Sequence, residues 1–351
     1  MSTRSFTVWR RVSRVSADGP AVTLLADAAP TRGIGHAVRA ATLALALEKQ
    51  GARVEVVGRG LSLIREIEPE FKSLNFRDFA ESRGLQLLAM DIMQKKPDVV
   101  ITDGYFYPAG FYRALEQNSL SYGIIEDNSE SEAERPLFVI NQNPNASSVD
   151  YKQRFPHGRH FLGLDFAIVR PSAQISYPSG ALSKDSVFVL IGGSDPKQLS
   201  IPLARRLGTD KVETRIAIGP AVRDRERTIK ELQAIPGVRL PAQAHVTEAM
   251  LSSRVCVLAG GTSLWEANYM EKLVVGLTVA DNQVGPLQAA KEAGIVDSVV
   301  DGRIDDPIEV ADAVGRIVNN LARSKNLRVA RRVDGLGADR LALAILDVMA
   351  H

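Results

Sequence analysis

The hydrophobic positions of this 351-residue chain fall into short apolar runs that alternate with segments of helical spacing. The first run, AVTLLADA at 21–28, is rich enough in Val and Leu to be a buried strand. A glycine-flanked turn and a helical pattern follow it up to Gly51, and the apolar run RVEVV comes next. Strand, turn, helix and strand form a βαβ unit. Its first turn, RGIGH at 32–36, is therefore predicted to lie at the carboxyl end of a parallel sheet, where open α/β folds bind ligands.

The alternation continues to about residue 170. A helix is predicted to end at Lys95–Lys96 before the strand DVVIT, and PAGFYRALEQ, LSYGIIED and LFVINQN follow as a helix and two strands. The polar segment SLIREIEPEFKSLNFRDF at 62–79 is predicted to be irregular, and His157 and His160 are predicted to lie in a loop. Alternating strands and helices indicate a doubly wound, mainly parallel sheet.

Residues 171–186 contain two prolines, a glycine and five serines without a period, which is typical of a linker. A second alternation follows with VFVLIGGSDP, and TRIAIG, GVRL, RVCVLAGG, LVVGLTVA and IVDSVVD are its further predicted strands. We therefore predict an α/β protein with a cleft between two domains, which suits a small-molecule site. Its parts are a flexible N-terminal extension (1–20), an N-terminal domain (21–172), a linker (173–186) and a C-terminal domain (187–351). The last helical stretch, GADRLALAILDVMA, can pack on either domain.

Charge and composition exclude several classes of partner and site. The 43 Lys and Arg against 41 Asp and Glu leave a net charge of +2, which gives no reason to expect nucleic acid or an anionic membrane surface. No apolar stretch approaches the ~20 residues of a membrane span. The single cysteine, Cys256, is predicted to be a buried core residue, and HxxH at 157–160 lacks a third ligand, so no metal centre is predicted. The Arg- and Ser-rich segment 1–20 has the composition of an organelle presequence, but an extension on a cytoplasmic protein is the simpler interpretation.

Three glycine-bearing turns follow predicted strands: RGIGH at 32–36, IGGSDP at 191–196 and AGGTSLWE at 259–266. Glycine lets backbone N–H groups approach a ligand closely, and a following helix adds further donors, so these turns predict a phosphate site. The chain has no GxxxxGK[ST] motif, which excludes a P-loop. Val38 stands where the third glycine of GxGxxG would be, which disfavours an NAD-dependent dehydrogenase.

In the first domain, His36 is the candidate general base. Its unperturbed pKa lies near 6.5, and a neighbouring carboxylate would orient it. A structural hydrogen-bonding role is the alternative. If the sheet is parallel, the other candidates line the same rim, with Asp103 and Tyr105 of TDGY expected to bind the substrate: Asp27, Arg39, Asp103, Tyr105, Glu126 and Asp127.

In the second domain, Thr262 is a natural N-cap residue, with Glu266 one turn later. Glu266 either completes a capping interaction or accepts hydrogen bonds from the vicinal hydroxyls of a sugar. Asp281, Asn282 and Gln283 follow a buried strand at the predicted cleft edge and support the same site.

Several ordered segments carry a family resemblance: DAAPTRGIGHAVRAATLALAL, VVITDGY, INQNPNASSVDY, FLGLDFAIVRP, VFVLIGGSDP and AGGTSLWEANYMEKLVVGLTVADNQ. Over about residues 22–345 the chain resembles the UDP-sugar hydrolases of pseudaminic acid biosynthesis and their relatives among spore-coat polysaccharide proteins. Those hydrolases release UDP from UDP-2,4-diacetamido-2,4,6-trideoxy-altrose. The resemblance implies the GT-B fold, two doubly wound Rossmann-like domains facing across a cleft, which the family shares with the glycosyltransferase that makes lipid II. It also implies a UDP-sugar substrate, a place in polysaccharide biosynthesis, and no cofactor or metal.

The resemblance implies a role for each residue that matches a family motif. His36, in the Gly-x-Gly-His-x-x-Arg pattern, would activate water to attack the anomeric carbon, with loss of UDP and inversion. Gly33, Gly35 and Arg39 complete that pattern, and Arg39 would fix the turn or the diphosphate. The implied contacts in the second domain are Gly192, Gly193 and Ser194 with the nucleotide, Gly261 and Thr262 with the diphosphate, Glu266 with the ribose, and Asn282 and Gln283 with the sugar or phosphate.

Two segments depart from the family pattern. After Glu126–Asp127 the chain lacks the His and Cys of the family, and Pro30, Thr31 and Arg32 are bulkier than its small polar residues. Both departures lie on the sugar side, so the resemblance predicts a nucleotide-sugar hydrolase but not a particular sugar. A GT-B glycosyltransferase, in which His36 deprotonates an acceptor hydroxyl, and a non-catalytic nucleotide-sugar-binding protein are the alternatives.

Overall fold

The computed structural model covers most of both predicted domains. Gly33 and Tyr105 lie outside the described residues, as do most of the predicted N-terminal extension and most of the predicted linker. The residues that the structure describes are 19–28, 34–65, 67–79, 84–104, 106–127, 130–174, 186–208, 213–242, 245–324, 327 and 329–351.

The N-terminal domain contains a seven-stranded parallel sheet with the order β3-β2-β1-β4-β5-β6-β7. Its strands are β1 Ala21–Ala26, β2 Arg53–Gly58, β3 Asn75–Asp78, β4 Val99–Asp103, β5 Tyr122–Ile125, β6 Phe138–Asn141 and β7 Arg159–Leu162. Its helices are α1 Gly35–Lys49, α2 Leu85–Lys95, α3 Ala109–Gln117 and α4 Tyr151–Arg154, with 3-10 turns at Leu61–Ile64, Pro69–Ser73, Ala146–Ser148, Leu164–Phe166 and Pro171–Gln174.

The C-terminal domain contains a six-stranded parallel sheet with the order β10-β9-β8-β11-β12-β13. Its strands are β8 Ser186–Leu190, β9 Glu213–Ala217, β10 Val238–Arg239, β11 Val255–Ala259, β12 Leu273–Thr278 and β13 Ser298–Asp301. The helices of this part of the chain are α5 Ser200–Gly208, α6 Arg225–Gln233, α7 Val246–Leu251, α8 Ser263–Tyr269, α9 Val284–Glu292, α10 Pro307–Arg323 and α11 Gly337–Met349, with a 3-10 turn at Asp281–Gln283.

Each sheet reverses its strand order once, between β1 and β4 in the first domain and between β8 and β11 in the second. In doubly wound sheets, ligands bind outside the carboxyl ends of the strands at such a reversal. The register places Ala26, the last residue of β1, beside Asp103, the last residue of β4. In the second sheet Leu190 of β8 lies beside Leu258 of β11. The loops that leave these strands are therefore expected to build any site.

The central strands are buried on both faces, which explains why they read as continuous apolar runs without a polar alternation. Every position of β4 and of β11 is buried. Cys256, in β11, is fully buried, as predicted. Within the described part of the chain, no helix combines the length and the apolar character needed to cross a bilayer.

The last helix, α11, packs on the N-terminal domain. Leu341 and Ile345 are fully buried in the same cluster as the apolar face of α1. At the start of the helix, a Cβ on Gly337 would lie 2.1 Å from the carbonyl oxygen of Ala167, so glycine is required for this approach. The chain therefore crosses back after the second domain to complete the core of the first.

Two expectations about local structure are wrong. The segment 62–79, predicted to be irregular, contains β3, and His160, predicted to lie in a loop, lies in β7. The His160 ring nitrogen Nε2 forms a hydrogen bond with the carbonyl oxygen of Phe155 at 3.0 Å. Both strands are four residues long and pair with a single neighbour at the edges of the sheet. Their sequences, NFRD and RHFL, lack the apolar run that marks a central strand. Pairing with the neighbouring strand in the tertiary structure, and not a local pattern, holds them in the sheet.

Candidate active site

A cavity of about 580 Å³ is lined by loops that leave the carboxyl ends of both sheets. Of the described residues to which the sequence analysis assigns a catalytic or binding role, all but Asp103 line it: Gly35, His36, Arg39, Gly192, Gly193, Ser194, Gly261, Thr262, Glu266, Asn282 and Gln283. Asp103 lies directly behind His36. The structure thus brings together residues from two domains that are more than 150 positions apart in the sequence.

His36 is the second residue of α1, the helix that follows β1. Its ring nitrogen Nδ1 donates a hydrogen bond to Oδ1 of Asp103 at 2.7 Å, and the Asp103 carboxylate is fully buried. Because a carboxylate holds Nδ1, Nε2 is the ring nitrogen through which this histidine can exchange a proton with a ligand. A buried carboxylate in this position fixes the tautomer and the orientation of an imidazole.

Arg39 lies one helical turn after His36 and is held between two carboxylates. Its Nε and Nη2 donate to the two oxygens of Asp103 at 2.8 and 2.6 Å. Its Nη1 and Nη2 donate to Asp127 at 2.8 and 3.1 Å. Burial by itself would lower the pKa of Arg39, but Asp103 and Asp127 outweigh it and raise that pKa well above its usual value. Of the two roles that the resemblance implies for Arg39, the turn or the diphosphate, this geometry favours the structural one, because the guanidinium charge is already paired.

The same contacts act on Asp103. Burial alone would raise the pKa of its carboxyl group, but the charges and hydrogen bonds of Arg39 and His36 outweigh burial and hold that pKa below its usual value. Asp103 is therefore ionised at neutral pH and remains a hydrogen-bond acceptor for the imidazole. A desolvated carboxylate that is kept charged by two donors is a common feature of functional sites.

Two glycine loops form the C-terminal part of the cavity. Residues 191–194 follow β8, and residues 259–262 follow β11. Gly192 has a φ of +64°, which favours glycine, and a Cβ on Gly193 would lie 2.9 Å from the side chain of Ile34 at the start of α1. A Cβ on Gly261 would meet no atom within 4 Å, so the backbone there is open to the cavity. Such loops present main-chain N–H groups to an anion.

The capping interactions expected at α8 are not made. Thr262 occupies the N-cap position, as predicted, but its side chain forms no capping hydrogen bond. Glu266 instead accepts from Nε and Nη2 of Arg170 at 2.7 Å each. Nη1 of Arg170 is 3.5 Å from Oε1 of Glu68, so the guanidinium lies between two buried glutamates.

Four candidates from the sequence have structural roles. Asp27 pairs with Arg59 at 2.6 Å and Glu126 with Arg154 at 3.0 Å, and neither Asp27 nor Glu126 lines the cavity. Asp281 is 93 % exposed and pairs with Arg303. Gln283 lines the cavity, but its amide accepts from the Val279 N–H at 2.9 Å and donates to the Gly260 carbonyl at 3.0 Å, so it supports the loop.

Sequence reasoning missed several lining residues, among them Phe106, Gln142, Asn143 and Arg170. Asn143 Nδ2 donates to the Asp127 carbonyl at 3.1 Å, and Gln142 Oε1 accepts from the Ile168 N–H at 3.0 Å. A signal for Arg170 was present, because it ends the apolar run FAIVR, where a buried arginine requires a partner. Among the residues that the structure describes, no group of three or more His, Cys, Asp or Glu side chains could hold a metal ion.

No protein-family model and no curated protein matches the sequence. Solved structures do match the fold. S. aureus MnaA, solved with UDP, is 15% identical, with 95% of this chain and 98% of that chain covered at a TM-score of 0.62. The UDP-GlcNAc 2-epimerase of Neisseria meningitidis, bound to UDP-GlcNAc, is 13% identical, with 93% and 99% covered at 0.61. CalG4, the calicheamicin glycosyltransferase, is 15% identical, with 94% and 98% covered at 0.59. The predicted GT-B-like fold of two Rossmann-like domains is confirmed.

Proposed function

We propose that this protein is a nucleotide-sugar hydrolase that releases UDP and a free sugar by attack of water at the anomeric carbon, with inversion. The observation that carries the proposal is the His36–Asp103 pair. It lies in the N-terminal domain at a cavity to which the C-terminal domain contributes two glycine-rich loops. A base and an anion-binding surface at one cavity supply what the reaction needs, activation of the water and stabilisation of the leaving diphosphate. The likeness to MnaA, solved with UDP, and to an epimerase bound to UDP-GlcNAc supports UDP as the nucleotide.

We assign the diphosphate to the backbone N–H groups of loops 191–194 and 259–262. Among the described residues, the arginines that line the cavity are paired with carboxylates, Arg39 with Asp103 and Asp127, and Arg170 with Glu266. The main chain of the glycine loops is therefore the better source of donors for an anion. Glu266 is the candidate acceptor for the ribose hydroxyls.

In the proposed reaction, Nε2 of His36 accepts a proton from water as the water oxygen forms a bond with the anomeric carbon. The bond between that carbon and the diphosphate oxygen breaks, and its electron pair leaves with UDP. Attack opposite the leaving group inverts the anomeric configuration. Asp103 stabilises the imidazolium that forms, and the loop N–H groups stabilise the charge that develops on the diphosphate.

Glycosyl transfer is the second candidate, and the likeness to CalG4, the calicheamicin glycosyltransferase, favours it. The same base would then remove the proton of an acceptor hydroxyl, and the sugar would pass to the acceptor oxygen. The nucleotide side of the site serves both reactions equally.

The test is product analysis without any acceptor. Wild type and His36→Ala are incubated with a panel of UDP-, GDP- and CMP-sugars, and products are followed by anomeric proton NMR and by nucleotide release. We expect wild type to release UDP and the inverted sugar. His36→Ala should lower the rate by about 10²–10⁴-fold, the usual worth of a general base, with UDP affinity unchanged in calorimetry. His157→Ala, at an exposed turn outside the cavity, is the matched control and should behave as wild type.

Two results would contradict the proposal in different ways. Tight UDP binding with no turnover would reject the hydrolase and direct attention to an acceptor hydroxyl. If the protein binds none of the UDP-, GDP- and CMP-sugars, the nucleotide-sugar assignment itself is rejected.

A further inference from the structure

Arg170 lies where the chain passes from the first domain to the second, and it contacts a glutamate from each. Its Nε and Nη2 donate to the two oxygens of Glu266 in α8 at 2.7 Å each. Its Nη1 is 3.5 Å from Oε1 of Glu68, which precedes the 3-10 turn Pro69–Ser73 of the N-terminal domain. All three side chains are at least nine-tenths buried.

Glu68 is itself tied to the chain around Arg170. Its two oxygens accept from the hydroxyl and the N–H of Ser172 at 2.6 and 3.2 Å. The same hydroxyl is 2.9 Å from the hydroxyl of Thr247 in α7. Burial raises the pKa of Glu68 even though Arg170 opposes the shift. Glu68 of the N-terminal domain therefore holds one side of the guanidinium, and Nε and Nη2 of Arg170 face Glu266 of the C-terminal domain.

The contacts with Arg170 use only some of the lone pairs of the Glu266 carboxylate. Each carboxylate oxygen has two lone-pair sites, and the planar fork of Arg170 takes one on each oxygen. The carboxylate cannot rotate without breaking both bonds, so the orientation of its remaining lone pairs is set by Arg170. Glu266 lines the cavity, and two acceptors at a fixed spacing match the two vicinal hydroxyls of a ribose.

We propose that Arg170 is a positioning residue for ribose recognition. It holds the Glu266 carboxylate of the C-terminal domain so that Glu266 accepts both ribose hydroxyls, and Glu68 of the N-terminal domain holds Arg170. This inference rests on the proposed nucleotide site. It gives Arg170 no direct contact with phosphate, because its guanidinium is already occupied by the two glutamates. Discrimination between ribose and deoxyribose should then depend on a residue that touches neither sugar nor phosphate.

The experiment measures the affinities of UDP, 2′-deoxy-UDP and UMP by calorimetry. The UDP to deoxy-UDP ratio reports the ribose contact, and the UDP to UMP ratio reports the second phosphate. Wild type should prefer UDP to deoxy-UDP by about 10- to 100-fold, the worth of a hydrogen bond to a charged group. Arg170→Lys keeps a buried cation but loses the fork, so this preference should fall to about threefold or less, with the UDP to UMP ratio within about twofold of wild type. Glu68→Gln should lower the preference in the same direction by a smaller factor.

Arg154→Lys is the control, because Arg154 also pairs with a buried glutamate, Glu126, through Nη1 at 3.0 and 3.2 Å, away from the cavity. It should leave both ratios at their wild-type values, whatever it does to the melting temperature. Circular dichroism of each variant at the assay temperature verifies that the folded protein is being measured.

The possible results separate this inference from the proposed function. A collapsed UDP to UMP ratio in Arg170→Lys would mean that Arg170 contacts the diphosphate, and an unchanged deoxy-UDP ratio would mean that Glu266 is oriented without it. Either result overturns the inference and leaves the nucleotide site intact. An unchanged ratio in Glu68→Gln would overturn the part assigned to Glu68. If wild type binds no UDP, the proposed function and this inference both fail.

Discussion

Asp103 is the residue whose replacement most directly tests the description of the site, because it accepts from both His36 and Arg39 while fully buried. In Asp103→Asn one carboxylate oxygen becomes an NH₂ group that faces an N–H donor. If Oδ2 is replaced, the bond from Nε of Arg39 is lost, and if Oδ1 is replaced, the bonds from Nη2 of Arg39 and from His36 are lost. The substitution also leaves Arg39 with a single counter-charge.

The size of the effect follows from burial. Asp103→Asn should cost about 1.5–3 kcal/mol, because it removes hydrogen bonds to a charged group away from water while Asp127 still neutralises the Arg39 charge. Asp127→Asn is the matched control, since Asp127 pairs with the same guanidinium but is 19% exposed. Solvent can replace its contact, so we expect that variant to cost about 0.5–1.5 kcal/mol, the net worth of an ordinary hydrogen bond.

The pH dependence has a definite sign. The pKa of Asp103 is lowered in the folded state, so its carboxylate stabilises the fold above the unfolded value of about 3.9, and this contribution is lost as the pH falls through the lowered pKa. The difference in free energy of unfolding between wild type and Asp103→Asn should therefore be full above about pH 5 and shrink below about pH 4.

Hydrogen exchange followed by mass spectrometry is the suitable assay, because a two-domain chain need not unfold in one step. Peptides from β1 and β4 report the domain that carries Asp103, and peptides from β11 and β12 provide an internal reference. The reasoning is refuted if Asp103→Asn and Asp127→Asn lower the protection of β4 by the same amount, or if the loss for Asp103→Asn is as large at pH 3.5 as at pH 7.

Two further predictions concern residues outside the site. Burial raises the pKa of the Cys256 thiol to about 12. The native protein should therefore not react with a thiol reagent at pH 8, and it should react fully in urea. Rapid labelling of the native protein would contradict the burial of β11. Leu341→Ala removes a fully buried side chain of α11 and should cost about 2–5 kcal/mol, seen as faster exchange in α1, whereas Leu343→Ala, 40 % exposed on the same helix, should change little. Faster exchange confined to the second domain would contradict the packing of α11 on the first.

Much of the architecture could be predicted from local patterns. Continuous apolar runs marked the central strands, because a parallel strand is buried on both faces. Glycines at 192, 193 and 261 marked the loops where the backbone approaches a ligand, and His36 was placed at the carboxyl edge because it follows a strand within a βαβ unit. These properties depend on a few neighbouring residues, so the sequence alone determines them.

Other features are decided only by the tertiary structure. The edge strands β3 and β7 form because a neighbour offers its hydrogen-bonding edge, and α11 packs on the first domain because the core there has a matching apolar face. The partners of Arg39 lie 64 and 88 positions away, and Arg170 and Glu266 are 96 positions apart. Sheet register and domain placement bring such charges together, and no local pattern encodes the pairing. The sequence by itself therefore determined which segments supply the loops of the cavity, and the tertiary structure decided which charges are already paired and which residues line it.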